Sequence, residues 1–222
     1  MDPLTTRHLP NALWAKVPAW LVEADTRAQD WAQAQVDLNV FPANFLSWLT
    51  ETPKGLSLLV ILGLLYFSIH YLYRVVPYAH SEHKVTSVDL LFLVGGTLVT
   101  LVSSDLLVGQ LKQYFGRLKP HVIFYNPVVQ PALSMPSGHA FNSAVIFSFL
   151  YFRIFASERE QWRRPFFVLF CVVFLIGVSR VFFGQHYPLD VVAGWAGGFY
   201  FGFLMARVTN LIFNFLSEKF EL

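Results

Sequence analysis

An all-α fold, a polytopic bundle of about five transmembrane helices with a peripheral amphipathic N-terminal head, is what this sequence predicts. Three observations carry it. Of 222 residues, 55% are hydrophobic and only 14% charged, with 23 phenylalanines and a positive mean hydropathy, a balance too apolar for a soluble domain. Five segments, roughly 56–77, 87–108, 139–156, 166–184 and 189–214, reach or approach the length of about 20 apolar residues that crosses a hydrocarbon core. Pro53, Pro77, Pro165 and Pro188 fall at segment ends, where a missing amide hydrogen costs least.

Taken in order, residues 1–54 form the head. They mix charges with Trp31, Val36, Phe41, Phe45 and Trp48, a pattern suited to helices lying in the membrane interface rather than to a sixth crossing. Pro10, Lys16, Pro18 and Glu23 interrupt any apolar run there, so a cleaved signal peptide is not expected and the first span directs insertion. Residues 55–222 form the membrane domain, whose polar motifs lie within 112–190. Cys171 is the single cysteine and sits in an apolar run, which excludes an intrachain disulfide. A net charge of +2 without a clustered basic face argues against nucleic acid as a partner and leaves the lipid bilayer.

Sidedness follows from charge. With five spans, Arg74, Lys84, Arg153, Arg159, Arg163, Arg164, Arg207 and Lys219 share one side; Arg7, Lys16, Arg27, Lys54, Lys112, Arg117, Lys119 and Arg180 share the other. Four of the latter belong to polar motifs, and the other four are spread through a head that also holds six acids. Discounting both groups puts the Arg153–Arg164 loop in the cytoplasm and the motifs on the outer face of an inner membrane.

Three polar clusters then meet at that face: "KQYFGRLKP" (Lys112–Pro120), "PSGH" (Pro136–His139) and "SRVFFGQHYPLD" (Ser179–Asp190). Cations, small donors and two protonatable histidines converging at one surface describe an anion site with chemistry beyond binding. Lys-x6-Lys-Pro, Pro-Ser-Gly-His and Ser-Arg-x5-His-x3-Asp, in this order and in this membrane setting, resemble the signature of the type 2 phosphatidic acid phosphatases, the lipid phosphate phosphatases. The resemblance spans about residues 85–210. One position departs: Lys119 stands where the family has arginine before Pro120, with Arg117 two residues earlier. Lysine keeps the charge but loses the planar fork.

The resemblance implies hydrolysis through a phosphohistidine, with His186 as nucleophile, Asp190 orienting it, and His139 protonating the leaving alkoxide. The residues support the same roles physically. Lys112, Lys119 and Arg180 neutralise a phosphate, and Ser137 and Gly138 offer it the positive end of a helix. A carboxylate four residues after His186 can hold one ring nitrogen and leave the other free. Arg117 and Asp105 are possible accessories, Asp105 by positioning a motif cation such as Lys112. No cofactor and no metal is expected, because side-chain cations supply the charge.

The expected substrate is a lipid phosphomonoester or diphosphate: undecaprenyl diphosphate, phosphatidylglycerophosphate, phosphatidic acid or a lipid A phosphate. Its selection is assigned to the head and to the His121–Ser134 loop. Two alternatives remain, a lipid phosphotransferase using the same phosphohistidine and a non-catalytic lipid-binding protein.

Overall fold

The computed structural model describes residues 13–36, 87–120, 133–155 and 163–220. By contact they belong to a compact unit of Met1–Gln35 and Ser87–Leu222, Val36 excepted; Val36–Thr86 form another unit. The first expected span (56–77), residues 37–54 of the head, most of the 121–134 loop and Arg159 lie outside the described residues.

Every named element among the described residues is a helix. A 3-10 turn at Leu13–Lys16 leads into α1, Ala19–Ala34. Then come α2 (Ser87–Phe115), α3 (Gly138–Leu150, continued by a π-helical turn at Tyr151–Phe155), α4 (Arg163–Phe182) and α5 (Pro188–Phe220). At 1.5 Å per residue α2 and α5 measure about 43 and 50 Å, more than the hydrocarbon thickness. Within them, Phe92–Phe115 and Pro188–Lys219 are long and apolar enough to cross a membrane, and Phe166–Phe182 is a shorter apolar helix.

Four of the five apolar segments thus coincide with helices, but their ends differ. α2 continues seven residues past the expected 108 and carries Lys112 in its last turn. Its hydrogen-bond ladder does not require apolar side chains. It stops at Gly116, whose φ of 64° only glycine adopts without strain and whose amide donates to the Lys112 carbonyl at 2.9 Å.

The bundle is inverted relative to a soluble protein. Large apolar side chains face outward on α2 (Val99, Val102, Leu106), α4 (Phe167, Val168, Leu175) and α5 (Tyr200, Leu211, Phe215). Such continuous apolar exposure is what lipid covers. α3 is the central helix, with Ala140, Phe141, Ala144, Val145 and Phe149 all buried against α2, α4 and α5. Its closest partner is α5, and the contact is made of small residues. Gly194, Gly198 and Gly202, one turn apart, face Ala140, Ala144 and Ser148, and a Cβ on Gly194 would lie 2.8 Å from the Ser137 carbonyl. Association without a hydrophobic driving force depends on such close backbone approach. Phe147 fills the α3–α4–α5 junction by edge-on contacts with Phe166, Phe170 and Phe199.

α1 packs on α4 and α5. Asp25, Thr26, Gln29 and Ala32 form its buried side, and Trp20 and Trp31 remain 69% and 64% exposed.

Candidate active site

The site is assembled where α2 ends and α3 and α5 begin. After Gly116 the chain runs extended, and Leu118 pairs antiparallel with Leu133. The Ser134 amide donates to the Arg117 carbonyl (2.6 Å), and Lys112 Nζ donates to the Leu133 carbonyl (3.0 Å). These bonds place the first motif against the approach to the second. Ser137 precedes α3, and its amide donates to the Asp190 carbonyl at 2.9 Å, which joins the starts of α3 and α5. α4 closes at Gly184 (φ 66°), so that the amides of Gln185 and His186 both reach back to the Arg180 carbonyl, at 3.0 and 3.2 Å. His186 is thereby fixed two residues before Pro188 opens α5.

Asp190 is fully buried and accepts from several donors: Arg117 Nη1 and the Tyr187 amide, each at 2.9 Å, and the Ser134 hydroxyl. His186, 2% exposed, has Nδ1 3.3 Å from Ser134 Oγ and 3.6 Å from Asp190 Oδ2. The direct His186–Asp190 hydrogen bond expected from their four-residue spacing is therefore replaced. The carboxylate is shared with Arg117 and Tyr187, and it lies beyond hydrogen-bond range of the ring. Ser134 stands between them. A hydroxyl that donates its one proton to Asp190 accepts from His186, which assigns the ring proton to Nδ1 and leaves Nε2 as the free lone pair. Burial lowers the pKa of His186, an effect Asp190 opposes and the charges of Lys119 and Lys112 reinforce, so the neutral imidazole is favoured.

Ser137 is buried, and its Oγ has no hydrogen-bond partner among the described residues, although it precedes α3 as an N-cap would. A buried hydroxyl without a partner among the described residues, at a helix start whose dipole favours an anion, suits a phosphate oxygen. Gly138 and His139 follow it in the first turn of α3. Arg180 is buried and donates through Nη1 to Gln185 (2.9 Å) and through Nε to Ser179 (3.3 Å). Lys112 and Lys119 are half-buried.

Arg117 departs from its reading as a possible accessory to phosphate. It is 1% exposed, with Nη2 2.6 Å from Asp25 Oδ2 and Nη1 on Asp190, and its guanidinium carbon lies 3.9 and 3.6 Å from the ring centroids of Trp14 and Tyr187. Both arms of its fork are committed to carboxylates. Asp105 accepts from Asn142 Nδ2 of α3 (3.3 Å), and Asn142 accepts from Ser104 (3.0 Å).

Asp25, Ser134, Tyr187 and Trp14 escaped the sequence reading. Ser134 lies three residues ahead of Ser137, and Tyr187 directly follows His186, so proximity to a motif was a usable signal for both. Asp25 and Trp14 lie about 90 or more residues from the nearest motif and carried no signal.

A helical bundle embedded by its apolar exterior, with a histidine, a carboxylate, basic side chains and an open helix start collected at one end, is the framework of a membrane phosphatase. The chain belongs to the PAP2 superfamily, whose family model matches residues 93–213. It is 33% identical over 177 residues to lipid A 1-phosphatase of Rhizobium etli, covering 74% of this chain and 72% of that one. It is 29% identical over 131 residues to phosphatidylglycerophosphatase B of Bacillus subtilis, covering 55% and 62%. The crystal structure of Aquifex aeolicus LpxE shares the fold, with a TM-score of 0.52 and 20% identity over 82% of this chain and 93% of that one. This chain is thus a phosphatase of the membrane.

Proposed function

We propose that the enzyme removes the phosphate of a lipid phosphomonoester, or the terminal phosphate of a lipid diphosphate, whose tail stays in the bilayer while its headgroup enters the site. The similarity to a lipid A 1-phosphatase over about three quarters of the chain supports testing a lipid A phosphate first, and phosphatidylglycerophosphate next. The observation that carries the mechanism is the buried His186 ring, held at Nδ1 by Ser134 and backed by Asp190.

In that mechanism Nε2 of His186 attacks phosphorus while Lys112, Lys119, Arg180 and the start of α3 at Ser137 and Gly138 take up the charge of the phosphate oxygens. The bond to the lipid oxygen breaks, and His139 protonates the departing alkoxide. Water then attacks the phosphohistidine with His139 accepting its proton, releasing inorganic phosphate and restoring neutral His186.

Five spans, comprising 56–77 and helices α2 to α5, with α1 lying in the interface through Trp20 and Trp31, complete the reading. The charge distribution supports an inner-membrane enzyme whose site faces the periplasm. The test is phosphate release by detergent-purified protein from a panel of lipid phosphates, without added acceptor and with or without chelator. Release of free phosphate, unchanged by chelator and lost in His186→Ala, is expected. Turnover only with an acceptor alcohol would make it a transferase, and metal-dependent turnover would remove the side-chain charge account.

A further inference from the structure

The mechanism above leaves one buried acid unused. Asp25 belongs to the N-terminal helix, 92 positions before Arg117 and 165 before Asp190 in the sequence numbering, yet it touches both the first and the third polar motif. Its Oδ2 lies 2.6 Å from Arg117 Nη2 and its Oδ1 accepts from the Leu189 amide at 2.9 Å. Both side chains of the ion pair are almost wholly enclosed.

Two consequences follow from the geometry. Arg117 is held from both ends and both faces: Nη1 donates to Asp190, Nη2 makes an ion pair with Asp25, and Trp14 and Tyr187 close over the guanidinium. The Leu189 amide is one of the donors that a helix start leaves without an intrahelical acceptor, and a carboxylate there is favoured by the helix dipole. Asp190 meets a neighbouring donor in the same way, by reaching back to the Tyr187 amide. The first turn of α5, which carries the carboxylate behind His186, is therefore bound from two sides.

We propose that Asp25 is a positioning residue for the phosphatase reaction: through Arg117 it fixes the Asp190 carboxylate behind Ser134 and His186, and through the Leu189 amide it fixes the turn that bears Asp190. α1 is on this view a strap across the back of the active site as well as an interfacial helix. The electrostatics agree. Burial raises the pKa of Asp25 and Arg117 opposes that rise; with both carboxylates ionised, one guanidinium between them leaves one net negative charge behind His186, which favours the imidazolium-like charge that develops as Nε2 bonds to phosphorus. The opposing charges facing His186 are Lys112 and Lys119. Without the Asp25 charge, Arg117 and Asp190 neutralise each other and that support is lost.

The inference rests on His186 as nucleophile, so the experiment includes both levels. Full-length Asp25→Asn, Asp25→Glu, Arg117→Lys and His186→Ala are purified in detergent, matched for monodisperse protein, and assayed on one lipid phosphate across pH. Asp25→Asn is expected to lose about tenfold or more in kcat with KM changed less than about threefold, because geometry behind the nucleophile is altered and the phosphate grip is not. Its acid limb should move to lower pH, since the Asp25–Arg117–Asp190 cluster behind His186 loses its net negative charge. Asp25→Glu keeps the charge and should restore the position of that limb. If Asp25→Asn does not fold, Arg117→Lys, which keeps the charge but lacks the fork, should show the same kcat loss.

A purely structural role gives a lower melting temperature with native kcat and native acid limb per folded molecule, and that result overturns the proposal. Activity in His186→Ala removes the phosphohistidine reading itself. Inactive His186→Ala beside native Asp25→Asn and Arg117→Lys removes only the role of Asp25.

Discussion

At the scale of single residues, its partners rather than its burial set Arg117 apart from the cations assigned to substrate, since Arg180 is equally enclosed. Lys112 and Lys119 are half-buried and the Ser137 hydroxyl has no partner among the described residues, whereas Arg117 spends its charge on two carboxylates. Lys119→Arg should keep most activity and Lys119→Ala should lose most of it, as steady-state assays on one lipid phosphate would show. Arg117→Ala should be at least as damaging, because it leaves two buried acids facing each other at a cost of about 3–5 kcal/mol; a mild effect would show that the ion pairs matter little. The lowered pKa of His186 sets a pH prediction. Activity needs the neutral ring, so kcat/KM, corrected for titration of the substrate phosphate, should persist as pH falls through the ordinary histidine value of 6.5 and decline only below it. Stability has the same sign. The unfolded chain takes up a proton near 6.5 and the folded chain does not, so stability is complete above 6.5 and is lost as pH falls toward the folded pKa. An acid limb at or above 6.5 would contradict the burial of this ring. Residue identities at the site were readable because PSGH and SRVFFGQHYPLD keep their members within a few positions of one another. The Asp25–Arg117 pair was not readable, since nothing local distinguishes an acid that pairs across 92 positions from one that faces water.

At the scale of elements, hydropathy and proline placement located helices but not how they touch. Pro188 opens α5 as expected, while α2 outruns its apolar segment because backbone hydrogen bonding, not side-chain polarity, ends at Gly116. The Gly194, Gly198 and Gly202 stripe is visible in the sequence as a four-residue repeat, but its partner stripe on α3 becomes visible only in three dimensions. Since the starts of these helices share the Ser137–Asp190 hydrogen bond, spacing between them is spacing within the site. Gly198→Leu should therefore lower both the melting temperature and kcat, as its side chain would have to displace the Phe141 backbone and Ala144. Gly109→Ala, at a helical position where an added Cβ meets nothing within 4 Å among the described residues, should be neutral or stabilising by up to about 1 kcal/mol. Equal melting temperatures for the two variants would mean that α3 and α5 do not depend on close approach.

At the scale of the whole molecule, the outward apolar surface and the polar cluster at one end of the bundle give an enzyme that meets its substrate at the membrane surface. The proposed sidedness is checked by single cysteines in a Cys171→Ser background: with a membrane-impermeant thiol reagent on intact cells, Gln130→Cys should label and Ser157→Cys should not. Labelling at position 157 alone would place the site in the cytoplasm while leaving its chemistry intact. The central claim is the covalent step at His186, and the most direct measurement is rapid quenching of the enzyme during turnover of a lipid carrying radiolabelled phosphate. An acid-labile, alkali-stable label on the peptide containing His186, absent from His186→Ala, is the expected result. A turning-over enzyme that never acquires label, or one that carries it on another residue, would contradict the account.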